Sequence, residues 1–160
     1  MKTAIVLSDT HGNRRIIEKL FPLFEENDYI IHLGDGNRDM SEVYRAFPDK
    51  TFVCNGNCDF ETPYSQSEWE IEIEEVKILA CHGHKYRVKS STDLLKREAL
   101  NRGCAVALYG HTHRAEVDES DGLTVMNPGN GQRYSSDPSY GYLVINGKQM
   151  TATTVPVNLE

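Results

Sequence analysis

The sequence predicts an α/β or α+β protein with mixed sheets, and three observations carry that expectation. The first third alternates short apolar runs with segments of helical spacing, the pattern of parallel strands joined by right-handed crossovers. The end of the chain carries D-G at 121–122 and N-G at 146–147, both strong hairpin turns between β-runs. No repeat, low-complexity tract or Pro/Ser-rich linker interrupts the 160 residues, so the chain is read as one domain, 1–160, with one ordinary core.

In order, residues 2–8 form an apolar strand. Residues 14–26 come next as a helix: Ile16, Ile17, Leu20, Leu23 and Phe24 recur on one face behind an N-cap at Asn13, and Pro22 should kink or divide it. Tyr29 to Leu33 is a second strand ending in G-D-G, residues 39–47 are again helix-like, and Thr51 to Cys54 is a third strand. Trp69, Ile71 and Ile73 alternate with glutamates as in a half-buried strand, with Val76 to Cys81 as its hairpin partner. A helix from Ser91 to about Arg102 is stopped by Gly103, and Ala105 to Tyr109 is a buried strand.

Composition narrows the function classes. Hydrophobic residues make up 39% and charged residues 26%, and no apolar run approaches the roughly 20 residues needed to cross a bilayer. The N-terminal apolar run stops at Ser8 without a small-residue cleavage site, so it reads as a strand rather than a signal peptide, and we expect a cytoplasmic protein without membrane contact. The four cysteines are then expected as reduced thiols, Cys81 and Cys104 being buried. A net charge of −7 argues against a broad nucleic-acid surface, so any phosphate specificity must be local.

The informative pattern lies at the end of each strand. The runs end in S-D-T-H-G, G-D-G-N, N-G-N-C-D, C-H-G-H and Y-G-H-T-H, placing Asp, Asn or His next to Gly five times. Ligands of open α/β sheets bind outside the carboxyl ends of strands, so these loops could converge on one site. Asp9 and His11, and again His111 and His113, are spaced i, i+2, which in an extended segment puts both side chains on one side. Taken singly, Asp9 reads equally well as a helix cap, and Asp35 between two glycines as a turn aspartate.

Together they make a mixed oxygen and nitrogen donor set of two Asp, one Asn and four His, suited to Mn, Fe, Zn, Ni or Co rather than to Ca or Mg. Two divalent ions about 3.5 to 4 Å apart need a bridging carboxylate, imidazoles and a shared water that ionises near neutral pH. Such a site would keep a net positive charge attractive to a phosphodiester anion, although the chain is acidic.

The ordered set D-T-H-G, G-D-G, G-N-C-D, H-G-H and G-H-T-H resembles the calcineurin-like metallophosphoesterase superfamily, and the short chain is similar to its small bacterial and archaeal phosphodiesterase branch. The resemblance covers about residues 3–131, including N-P-G at 127–129. It implies a four-layer α/β/β/α sandwich, two mixed β-sheets flanked by helices, with a dinuclear centre at one edge. By matching motifs, Asp9, His11 and His113 hold one metal, Asn57, His82 and His111 the other, and Asp35 bridges them. The implied activity is a metal-dependent phosphodiesterase acting on small phosphodiesters by in-line attack of a bridging hydroxide, with manganese as the first choice of metal.

Many members of the superfamily have His directly after the ligand Asn, where it serves the leaving group; here that position is Cys58, with Asp59 next to it. A thiol donates only weakly, which favours diesters with good leaving groups over monoesters. His84, Arg14 and Asn37 are candidate substrate contacts, and His32, inside an apolar strand, reads as a core histidine. The alternatives are a phosphomonoesterase, or an interaction protein of the same fold like the retromer scaffold subunit of eukaryotes. A structural zinc site at Cys54 and Cys58 fails for want of a second C-x-x-C pair. Relatives of this size often form homodimers, and the strand from Trp69 to Glu75 could supply an edge.

Overall fold

Strand β1 (Lys2–Leu7) shows how the layers arise: Ala4 and Val6 face one way, Ile5 and Leu7 the other, and all four are buried. A strand can bury both of its alternating faces only if its sheet is covered on both sides. In the computed structural model, which describes residues 1–160, this holds for the central strands, while the edge strands Ser65–Gln66, Glu116–Ser120 and Gln149–Pro156 bury no residue fully.

After β1 come α1 (Arg14–Glu26), β2 (Tyr29–His32), α2 (Ser41–Ala46), β3 (Thr51–Cys54), β4 (Ser65–Gln66), β5 (Glu68–Ile73) and β6 (Val76–Cys81). Beyond these lie α3 (Asp93–Asn101), β7 (Val106–Leu108), β8 (Glu116–Ser120), β9 (Leu123–Asn127), β10 (Ser139–Asn146) and β11 (Gln149–Pro156). One sheet has the order β11-β10-β1-β2-β3-β4 and the other β5-β6-β7-β9-β8. The first has a parallel run β1-β2-β3-β4 with β10 and β11 antiparallel beside β1, and the second a parallel interior β6-β7-β9 flanked by antiparallel β5 and β8.

Three apolar clusters fill the three spaces between four layers. One joins the inner faces of both sheets, with Val6, Ile31 and Leu143 meeting Ile78, Val106 and Met126. A second packs α1 and α2, through Ile16, Leu20, Phe24 and Val43, on the outer face of the first sheet. The third packs Leu95 and Ala99 of α3 on the outer face of the second. The fold is thus the α/β/β/α sandwich of two mixed sheets, and no helix is long and apolar enough to cross a membrane.

Several local expectations are corrected. Helix α1 is not divided at Pro22: both Pro22 and Glu18, the residue four back whose carbonyl loses its usual donor, are on the exposed side of the helix. Asn13 precedes α1 but makes no side-chain cap; its Nδ2 instead donates to the Gly131 carbonyl at 2.8 Å, fastening the loop after N-P-G to the start of the helix. The stretch from 39 begins as a 3-10 turn, Asn37–Met40, before α2, and β4 carries no sequence signal at two residues. The N-G hairpin is shifted by one: Asn146 pairs with Gln149, so Gly147 and Lys148 make the turn. At 121–122 the expected turn is present, with φ of 53° at Asp121 and 75° at Gly122.

Candidate metal centre

The loops after β1, β2, β3, β6 and β7 meet at one end of the sandwich. Eight non-glycine residues have positive φ, and five are Asp9 (57°), His11 (44°), Asp35 (56°), His111 (69°) and His113 (64°). The other three are hairpin-turn residues Glu74 and Asp121 and the cap residue Arg87. A left-handed backbone costs an L-residue roughly 1 kcal/mol or more, so the fold concentrates its strain where these side chains are aimed. The extended i, i+2 geometry is therefore replaced: left-handed turns, not strand alternation, put Asp9 beside His11 and shape the His111–His113 loop. Backbone bonds from the Asp9 and His11 N–H groups to the Gly34 and Asp35 carbonyls, at 2.9 and 3.0 Å, hold the first pair in place.

The polar atoms divide into those tied to the fold and those left facing one another. Asp9 Oδ2 accepts from the Ser8 hydroxyl at 2.5 Å and the His111 N–H at 3.0 Å. Its Oδ1 is buried and accepts no hydrogen bond, although His113 Nε2, His11 Nε2 and His82 Nε2 lie 3.1, 3.7 and 4.0 Å away. Asp35 Oδ1 accepts the Cys58 N–H at 2.9 Å, while Oδ2 stands 3.3 Å from His82 Nε2 and 3.7 Å from His11 Nε2. His82 Nδ1 donates to the Leu33 carbonyl at 2.9 Å, which fixes the neutral tautomer with the Nε2 lone pair inward, 3.1 Å from His111 Nδ1.

This is a donor set that fits divalent cations. Ligand atoms of Asp9, His11 and His113 lie within 4.8 Å of one another, as do those of Asp35, His82 and His111. A buried carboxylate oxygen without a donor is costly, and a cation among the three imidazoles facing it would meet that need. Cys58 Sγ lies within 4.8 Å of ligand atoms of His11 and Asp35, while Cys54 is buried in the core between the sheets and belongs to no such group.

Electrostatics reinforce the grouping. Burial pushes the Asp9 and Asp35 carboxyls up, but His11, His82 and the hydrogen bonds to each outweigh it and hold both below the ordinary carboxylate range, Asp35 far below. Asp9 holds the His11 imidazole above its usual value; His82 is pulled down by burial but held up overall by Asp35 and Asp9. Burial and the neighbouring His82 lower His111 and His84.

The remaining sequence candidates separate. Asn57 is exposed on the same loop, its Nδ2 3.5 Å from Cys58 Sγ, and exchanging its amide atoms would turn the oxygen that way. Asp59 is placed differently from a leaving-group partner: Oδ2 accepts the Asp35 and Gly56 N–H groups, both at 2.8 Å, and Oδ1 those of Gly36 and Asn37 at 3.0 and 3.3 Å. It clamps two loops together. Asn37 is also committed to the fold, its Nδ2 donating to Asn55 Oδ1 at 2.9 Å and the Phe60 carbonyl at 2.6 Å. Arg14 lines a small adjoining groove with Glu18 and Glu42, which shares Arg38 and Asp39 with the cleft beside the centre but not its donor residues. His84 sits with its ring 5.4 Å from that of His82 and its buried Nδ1 unpartnered. His32 is the core histidine expected: Nδ1 accepts the Gly34 N–H, Nε2 meets Thr10 Oγ1 at 3.0 Å, and Thr10 in turn donates to Asp39. Sequence reasoning missed Arg38 and Phe60, which line the cleft with His11 and Asp35; neither belongs to a motif.

A fold of this kind with this cluster defines a metallophosphoesterase hydrolase. The model of the calcineurin-like phosphoesterase superfamily domain matches residues 1–150, and the chain belongs to that superfamily. It is 31% identical to a probable metallophosphoesterase of Methanothermobacter thermautotrophicus over 94% of this chain and 90% of that protein. It is 27% identical to a phosphodiesterase of Methanocaldococcus jannaschii, over 78% of this chain and 81% of the other. Among solved structures, Vps29 of Entamoeba histolytica, crystallised with zinc, superposes with a TM-score of 0.77 at 20% identity, covering 99% of each chain.

Proposed function

We propose that the protein is a dinuclear metal-dependent phosphodiesterase acting on small diesters. The observation that carries this reading is Asp35 Oδ2, which lies 3.7 Å from His11 Nε2 on one side and 3.3 Å from His82 Nε2 on the other, between two separate donor groups. Asp9, His11 and His113 would hold one ion, His82, His111 and Asn57 the other, and Asp35 both; bound there, they polarise phosphoryl oxygens and activate water. Manganese suits the mixed donor set, with Ni, Fe, Zn or Co as substitutes.

The chain's own residues set the rest. The Leu33 carbonyl keeps His82 in the tautomer that presents a lone pair, and the Asp59 clamp fixes the Asp35 backbone against the 56–58 loop. Where a leaving oxygen needs a proton, position 58 offers a thiol, which burial and Asp35 push above its ordinary value. So weak a donor favours esters whose alcohol leaves readily. Protein stripped of metal and reconstituted with Mn or Ni should hydrolyse bis(p-nitrophenyl) phosphate faster than p-nitrophenyl phosphate. The second reading is an interaction protein of the same fold, the fold being shared with Vps29 along nearly the whole of both chains; no turnover with any transition metal together with binding of a partner protein would decide for it.

A further inference from the structure

Beside the centre opens a cleft of about 380 Å³ whose walls include His11, Asp35, Cys58, Arg38 and Phe60. Phe60 is 76% exposed. Single exposed apolar residues are ordinary, but this one is held unusually firmly. Three consecutive residues are anchored: the Cys58 N–H to Asp35 Oδ1 at 2.9 Å, the Asp59 carboxylate to four backbone N–H groups, and the Phe60 carbonyl to Asn37 Nδ2 at 2.6 Å. The backbone is fixed while the ring packs against no other aromatic of the chain and stays in water at the mouth of the cleft. Of the other large exposed hydrophobics, Met1, Leu94, Leu100, Val117 and Tyr134, none lines this cleft.

The same cleft carries an exposed positive charge, Arg38. Asp39, next in sequence to Arg38, accepts at Oδ2 from the Thr10 hydroxyl and the Gly12 N–H, and the Arg38 guanidinium, which also borders the groove of Glu18 and Glu42, makes no ion pair. A cation and a pre-positioned aromatic face next to a phosphate-binding centre are complementary to a phosphate joined to an aromatic ring. Resting on the phosphodiesterase reading, we infer that Phe60 and Arg38 form the subsite for a nucleoside arm of the substrate: the base stacks on Phe60 and Arg38 neutralises phosphate charge. The natural substrate is then a nucleotide-derived diester rather than a glycerol-type one.

Calorimetric titration of the Mn-loaded full chain with adenosine 5′-monophosphate and with glycerol 3-phosphate tests this, since both present a phosphate but only one an aromatic ring. The wild type should prefer the adenosine ligand. Phe60→Ala should weaken that ligand about tenfold, the size of a lost base–aromatic stack, and leave glycerol 3-phosphate unchanged, while Phe60→Trp restores the preference. Equal weakening of both ligands, or no preference in the wild type, overturns the assignment. Failure of the wild type to turn over any diester with Mn or Ni would remove the phosphodiesterase reading instead, and the binding preference is measured without turnover.

Discussion

The inner and outer walls of the metal centre are built from similar residue types but held in opposite ways. On the inner wall, Asp9, Asp35 and His82 are 0, 3 and 0% exposed, and each ties one polar atom to the fold while turning the other to the site. On the outer wall His11, Asn57 and Cys58 are exposed, and the side chain of Asn57 has no partner beyond the neighbouring thiol at 3.5 Å. The inner wall can therefore change only by disturbing two functions at once, folding and metal capture. A change on the outer wall touches few contacts of the fold, so its effect falls on the donor set at His11 and Asn57 and on the space beside it at Cys58.

The sharpest way to break this contrast is Asp35→Asn. It removes the charge that faces both histidine groups, so both ions should be lost together, and activity should fall by more than the roughly 100-fold typical of an outer-shell partner. Metal analysis that still finds two full equivalents would refute the bridging role. Next comes Asp59→Ala, which touches no metal ligand side chain but leaves four backbone N–H groups without their acceptor. Metal affinity should drop about 10- to 100-fold, with a lowered unfolding temperature. A loss of activity with unchanged metal affinity and unfolding temperature would show instead that Asp59 acts at the leaving group.

These two aspartates also mark what can be read from sequence. Asp35 is legible because it sits between two glycines one residue beyond an apolar run, and the other carboxylate and imidazole positions stand likewise near the ends of strands. The clamp of Asp59 is not, since three of its four partners lie 22 to 24 residues away and are backbone groups, which leave no trace in residue identity. The strand order emerges from the crossover and hairpin pattern in outline, yet β4, at two residues, is too short for any periodicity. Pro22 misleads because propensity describes an isolated helix, whereas packing of Leu20 and Phe24 carries α1 through it. Phe60 and Arg38 are single exposed residues, and only their shared cleft makes them stand out.

A smaller effect concerns protons. Imidazoles bind metal only when neutral, and His11 and His82 are both held above the ordinary imidazole value by the aspartates they face. Protons thus compete with metal to a higher pH than the usual value near 6.5 would suggest, and apparent manganese affinity should still be climbing above about pH 6.5. Titrations at fixed ionic strength would measure this. An affinity already flat above about pH 6.5 would mean that the facing aspartates impose no such competition.

The smallest expected effect lies on the outer wall, at Cys58. Its backbone N–H is fixed to Asp35, but its side chain is exposed, so replacement by His should leave metal content and unfolding temperature within error. An imidazole there could donate a proton near neutral pH, which a raised thiol does poorly. The benefit falls on poor leaving groups, so Cys58→His should raise monoesterase turnover relative to diesterase turnover several-fold, within the roughly 10²-fold that a well-placed general acid supplies at the low end. An unchanged ratio would mean that the alcohol departs from a different side of the centre. The unpartnered Nδ1 of His84, on the H-G-H loop, would then be the next donor to examine.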